Sequence, residues 1–142
     1  MTILNPLHSH NTDGFDPDST TNVRLTNSYF RVGDDGVAIK SGWDNAGIYF
    51  NRPTLNVFIS NLTVWSITSA GVAIGSEMSG GVGNVTVEDC VFLHCSTGLR
   101  IKSSQGRGGF VRDMHAENIR MHGGGIGIQV NDFVSWSATF MC

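Results

Sequence analysis

Apolar residues in this chain recur at every second position in short runs, and Gly, Asn, Asp or Ser separates one run from the next. Val37 and Ile39, Val72 and Ile74, and Leu99 and Ile101 each alternate behind a glycine, the pattern of a strand with one buried face. No stretch joins a 3.6-residue period to capping residues, so helix content is expected to be low. The runs also repeat. Gly36-Val37-Ala38-Ile39, Gly71-Val72-Ala73-Ile74, Gly98-Leu99-Arg100-Ile101 and Gly125-Ile126-Gly127-Ile128 share one motif, at steps of roughly 27 to 35 residues. A weaker copy, Gly14-Phe15-Asp16-Pro17, precedes them. A second frame steps alongside. Asn22-Val23, Asn56-Val57 and Asn84-Val85 are followed by Asn27, Asn61 and Asp89, then by Tyr29-Phe30, Thr63-Val64 and Val91-Phe92; Asp113 and Asn118 continue the series.

Several short strands per unit, with asparagine at fixed places, predict an all-β parallel β-helix of about four coils, incomplete as a solenoid. A propeller blade is longer, and the leucine-rich consensus is absent. In such a stack each coil lies one strand spacing, about 4.8 Å, above the last, so equivalent residues form columns and turn asparagines can bond in ladders. Residues 1–133 form the expected β-helix domain. The closing 134–142 stretch does not follow the repeat, and the chain reads as a fragment or truncated product whose uncapped ends would expose apolar interior. The longest step requires an insertion, and 41–53 is expected to be a loop projecting beside the carboxylates described next.

Stacking turns scattered residues into a constellation. The residues just before the repeat glycines are Asp13, Asp35, Ala70 and Thr97, which should fall in one column, with Asp34 beside Asp35. The outer face of the following strands carries Asp16 and Asp18, then Ala38 and Lys40, then Ala73 and Gly75, then Arg100 and Lys102. That face is acidic at one end, basic at the other and small between, which suits a groove. From the residues alone, Asp13, Asp34 and Asp35 fit corner turns as well as catalysis, and Arg100 and Lys102 fit a solvated strand face.

Composition narrows the field. The 142 residues suffice for one small domain. Eighteen glycines are about twice the usual share and speak for many tight turns. A net charge of −3 argues against nucleic acid as a partner, since phosphate binding wants a basic face. No apolar run is long enough for a membrane helix, and no signal peptide is visible at the first residues. Cys90, Cys95 and Cys142 are odd in number and fit no zinc spacing, so buried free thiols are expected. The five histidines read as surface residues. Asn61-Leu62-Thr63 and Asn84-Val85-Thr86 are glycosylation sequons, yet both asparagines stand in repeat columns.

Taken in order, Asn11-Thr12-Asp13-Gly14, Gly33-Asp34-Asp35-Gly36, Ile74-Gly75-Ser76 and Arg100-Ile101-Lys102 resemble the motif set of glycoside hydrolase family 28, the polygalacturonases. Ala38–Asp44, Ile74–Val82 and Gly106–Gly109 resemble its plant- and bacterial-type branch, and the likeness spans residues 2–123. The resemblance implies a right-handed parallel β-helix that hydrolyses α-1,4 bonds of pectin with inversion. It implies Asp34 as general acid, Asp13 and Asp35 as the carboxylates that activate water, and Arg100 and Lys102 as ligands of a galacturonate carboxylate, with Lys40 beside them. It further implies an extracellular, cell-wall setting, a polysaccharide substrate, no cofactor, no metal and a monomer. One departure stands out: the family commonly has Gly-His-Gly where this chain has Ser69-Ala70-Gly71.

The residues agree with that chemistry. Inversion needs a protonated carboxyl on the leaving oxygen and an ionised one holding water opposite, and adjacent carboxylates push one pKa upward. A polyanionic substrate wants cations in the cleft. Ala70 and the truncation motivate an alternative, a pectin-binding β-helix without catalysis. A calcium-dependent lyase is a weaker third reading. Trp43, Tyr49 and Phe50 in the insertion suit either sugar stacking or loop packing.

Overall fold

The computed structural model describes residues 1–131, so the 134–142 stretch and Cys142 lie outside the described residues. The chain forms β1 (Thr2–Leu4), β2 (Thr21–Arg31), β3 (Val37–Ile39), α1 (Asp44–Phe50), β4 (Thr54–Trp65), β5 (Ala70–Ile74), β6 (Val82–Glu88), β7 (Val91–Leu93), β8 (Thr97–Lys102), β9 (Val111–Glu117), β10 (Arg120–His122) and β11 (Ile126–Asn131). Every pairing is parallel. One sheet runs β1-β2-β4-β6-β9, with β7 and β10 stacked beside it, and a second runs β3-β5-β8-β11. The chain winds from one sheet to the other and back about four times, which is the parallel β-helix the repeat predicts.

The long strands bend where asparagine or aspartate takes the left-handed conformation. Asn56 has φ 59° and Asn61 φ 49° within β4, and Asn22, Asn27, Asn84, Asp89, Asp113 and Asn118 do the same in their coils. Asn and Asp enter this region more readily than other side-chain-bearing residues. Each left-handed residue also slips the alternation by one. Val57 and Ile59 face inward before Asn61, and Leu62 and Val64 face inward after it. The corner side chains join into ladders: Asn56 Nδ2 donates to Asn22 Oδ1 (2.9 Å), Asn84 Nδ2 to Asn56 Oδ1 (2.7 Å) and Asn61 Nδ2 to Asn27 Oδ1 (2.7 Å). Both sequon asparagines are therefore ladder members.

Inside, like stacks on like: Val57 on Val85, Ile59 on Val87, Val64 on Phe92, Val37 on Val72 and Ile39 on Ile74. The repeat glycine exists because of this core. A Cβ at Gly71 would sit 2.5 Å from the Phe92 ring, and one at Gly36 would sit 2.6 Å from Val64. Cys90 and Cys95 are free and buried, and burial pushes both thiols up, Cys95 to about 11, so they serve as small core residues.

Two expectations need correction. The fourth glycine copy is out of register: Leu99 pairs with Ile128 and Ile101 with Val130, two residues beyond Ile126 and Ile128. The asparagine frame had the true step, because Asn118 lies 29 residues past Asp89 and bonds to it. The insertion is also not all loop. Its 44–50 stretch is the seven-residue helix α1, too short to show a period, ended by Asn51 in the left-handed conformation.

Candidate active site

Backbone bonds at the entrance to the second sheet build the predicted column. The Gly14 amide donates to the Asp35 carbonyl (3.0 Å), the Gly36 amide to the Ala70 carbonyl (2.9 Å), and Ala70 pairs with Thr97. Asp13, Asp35, Ala70 and Thr97 therefore stand coil above coil. Past the corner, Phe15 bridges Val37 and Asp18 bridges Lys40, which sets Asp16 beside Ala38.

A polar cavity of about 550 Å³ opens on this face. Asp13, Asp16, Asp34 and Glu77 supply its acidic wall and Lys40 and Lys102 its cations, with Asn5, Asn11, Thr12 and Ser76 completing the lining. The sequence reading brought Asp13, Asp34, Lys40 and Lys102 together here. Asp35 lies behind the wall with no exposed surface. Its Oδ1 accepts from Ser69 Oγ (2.5 Å) and the Ala70 amide (2.9 Å), and its Oδ2 accepts from Lys102 Nζ (2.6 Å). Lys102 reaches it from β8 across the intervening β5. Arg100 stands apart: it pairs in register with Ala73 and lines a second, mostly apolar cavity with Leu99, Ile101 and Ile128. Ala70, where the family commonly has histidine, is fully buried and offers Asp35 its amide instead of a ring.

The electrostatics follow from crowding. Burial, then the nearby charges of Asp16, Asp34 and Asp35, push the Asp13 carboxyl up to about 7, with Lys40 pulling the other way. Lys40 bonds Asp16 at 2.8 Å and lies 3.9 Å from Asp13. Burial disfavours its charge, but the Asp16 bond and the charges of Asp16, Glu77 and Asp13 outweigh that and hold the ammonium above its ordinary value. The site thus holds the Asp13 proton up to near neutral pH in the middle of a carboxyl cluster, an environment that acid/base chemistry uses. Among the described residues no group of three or more His, Cys, Asp or Glu is placed to hold a metal ion.

The branch-type motifs give this cavity Lys40, Ser76 and Glu77, and their remaining residues meet one another outside its lining. Arg107 NH1 meets Asp44 Oδ1 at 2.7 Å and its guanidinium lies 5.3 Å from the Trp43 ring centroid. The Ser79 amide donates to the Gly42 carbonyl, and the Gly80 amide to that of Ser41. Tyr49 and Phe50 on α1, and Trp43 just before it, remain exposed. Sequence reasoning missed the hydroxyls of Ser66, Thr68 and Ser69, which clamp the Asp34–Asp35 turn. Three hydroxyls in four residues just ahead of the column position were the available signal.

The comparisons now place the chain. The sequence model of glycosyl hydrolases family 28 matches residues 1–139, and the chain belongs to that family. It is 49% identical over 121 residues to a probable polygalacturonase of Vitis vinifera, covering 85% of this chain and 25% of that protein. It is 39% identical over 121 residues to an endo-polygalacturonase of Pectobacterium carotovorum subsp. carotovorum, covering 84% of this chain and 28% of the relative. Among solved structures, a hyperthermoactive exopolygalacturonase from Thermotoga maritima superposes with a TM-score of 0.72 at 32% identity, over 87% of this chain and 29% of that one. The chain spans about a quarter of the length of these relatives.

Proposed function

We propose that this chain carries the catalytic carboxylates of a pectin-directed glycoside hydrolase that cleaves α-1,4 bonds of polygalacturonate with inversion. The observation that supports it best is the cavity that gathers Asp13, Asp34, Lys40 and Lys102 around one carboxylate-rich wall. In this reading Asp34 protonates the leaving oxygen. Asp13 and Asp35 belong to the base side, which holds the attacking water. Lys102 and Lys40 offset the negative charge of a galacturonate, and Arg100, on the same strand as Lys102, binds a galacturonate carboxylate with it. The resemblance gives the acid role to Asp34, whereas crowding leaves a proton at Asp13. The pH profiles of Asp13→Asn and Asp34→Asn tell which carboxyl delivers the proton. The substrate places the work at the cell wall, outside the cell, and residues 1–133 act as one β-helix unit and as a monomer.

The test is release of reducing ends from polygalacturonate by the folded chain, abolished by Asp34→Asn. Folded protein that binds pectin fragments without cleaving them overturns the hydrolase reading. It would favour instead the binding-only reading, which Ala70 supports because it removes a side chain the family commonly places beside the carboxylates.

A further inference from the structure

The carboxylate turn is gripped from the neighbouring coil by a short comb of hydroxyls. Thr68 Oγ1 donates to the Gly33 carbonyl at 2.7 Å, Ser66 Oγ to the Asp34 carbonyl at 2.8 Å, and Ser69 Oγ to the Asp35 carboxylate at 2.5 Å. Three consecutive residues of the turn are thus each taken by one hydroxyl. The comb is itself tied together, because the Ser69 amide donates to Ser66 Oγ at 3.3 Å. Ser66 and Ser69 are buried. Burying hydroxyls costs free energy unless each is bonded, and these direct their bonds to the turn that presents the carboxylates.

Ser69 has the most to act on. Its hydroxyl and the Ala70 amide fix Asp35 Oδ1, which leaves Oδ2 for the Lys102 ammonium at 2.6 Å. Only donors face this carboxylate, the complement of its charged form. Lys102, a quarter exposed, carries the far end of the chain of contacts into the cavity. We propose that Ser69 is a positioning residue, which through Asp35 sets the Lys102 ammonium and the Asp34–Asp35 turn in place against the cavity. The catalytic consequence rests on the hydrolase reading; the geometric one does not.

The experiment takes the whole 142-residue chain as wild type, Ser69→Ala and Ser69→Thr, and measures two things. The first is steady-state hydrolysis of polygalacturonate. Removing the hydroxyl should lower kcat by about tenfold or more with a smaller change in KM, since a slightly misplaced group costs rate, and Thr, which keeps the hydroxyl, should restore most of it. The second is the NMR titration of the Asp13 carboxyl, which faces Asp16, Asp34, Asp35 and Lys40. With the Asp35 carboxylate no longer fixed in place near Asp13, the Asp13 midpoint should move down by about 0.5 in Ser69→Ala and return in Ser69→Thr. A wild type that releases no reducing ends defeats the hydrolase reading alone, and the titration then decides. An unmoved Asp13 titration overturns the positioning role, as does an unchanged kcat in an active wild type. Should Ser69→Ala fail to fold, Ser69→Cys, similar in size and a weak donor, carries the same expectations.

Discussion

Two outer surfaces of this solenoid are built on the same stacking and do opposite things with it. At the corner of the larger sheet, Asn22, Asn56 and Asn84 repeat one residue and pass one kind of bond from coil to coil. On the face of the smaller sheet, one column runs Asp16, Ala38, Ala73, Arg100 and Gln129, and no residue type serves as its theme. A column of like residues gains stability from each added coil. A face of unlike columns gathers groups that no single strand could carry, here carboxylates from the early coils and, from the neighbouring column, the Lys102 ammonium of a later one. In a solenoid, sameness down a column marks support and difference marks chemistry.

The largest expected effect tests the second surface. Asp34→Asn should lower reducing-end release by about a thousandfold while leaving the thermal unfolding midpoint unchanged, since the Asn oxygen can still accept the Asp35 amide that Asp34 Oδ1 accepts at 2.9 Å. A loss of stability alongside activity would mean that the face supports the fold as the corner does.

The site should also show in the pH dependence of stability. Asp13 is raised from 3.8 to about 7 in the fold, so the folded chain binds this proton more tightly than the unfolded one. The stability it contributes is fully present below about pH 4 and is lost as pH rises through about 7. Unfolding midpoints across that window should fall less in Asp13→Asn than in wild type. Equal slopes would refute the crowded-carboxylate account.

The corner offers the converse test. Asn56→Ala removes a bond to Asn22, takes the acceptor from Asn84 and puts at φ 59° a residue that enters the left-handed region less readily than asparagine. It should cost about 2 kcal/mol in denaturant unfolding and leave kcat unaltered. The smallest effect is a gain. Asp89 sits in the second ladder between Asn61 and Asn118, accepts from Asn118, and as a carboxylate has no proton to pass to Asn61. Asp89→Asn supplies the missing donor and should add about 0.5–1 kcal/mol; a destabilised variant would show that the ladder does not set this corner's stability.

How much of this could be read from the sequence depended on whether a feature repeats. The core alternation, the ladder positions and the Asp13–Asp35–Ala70–Thr97 column are periodic, so spacing alone located them. The register of the last coil was misplaced because Gly125 imitates the repeat glycine two residues early, and only strand pairing tells the two apart. Helix α1 was hidden because seven residues hold too little pattern. The hydroxyl comb and the absence of Arg100 from the lining of the carboxylate cavity depend on where side chains reach after the coils stack, and that reach leaves no local trace in the chain.

The span of the Lys102–Asp35 contact has a kinetic meaning. Its partners come from the turn leading into β3 and from β8, with β5 lying between those strands, so the ion pair closes only after three successive rungs have settled in register. The Lys102 ammonium at the cavity wall is therefore a reporter of assembly: a solenoid caught half-wound would already display its aspartates with Lys40 beside them and still lack the charge that closes on Asp35.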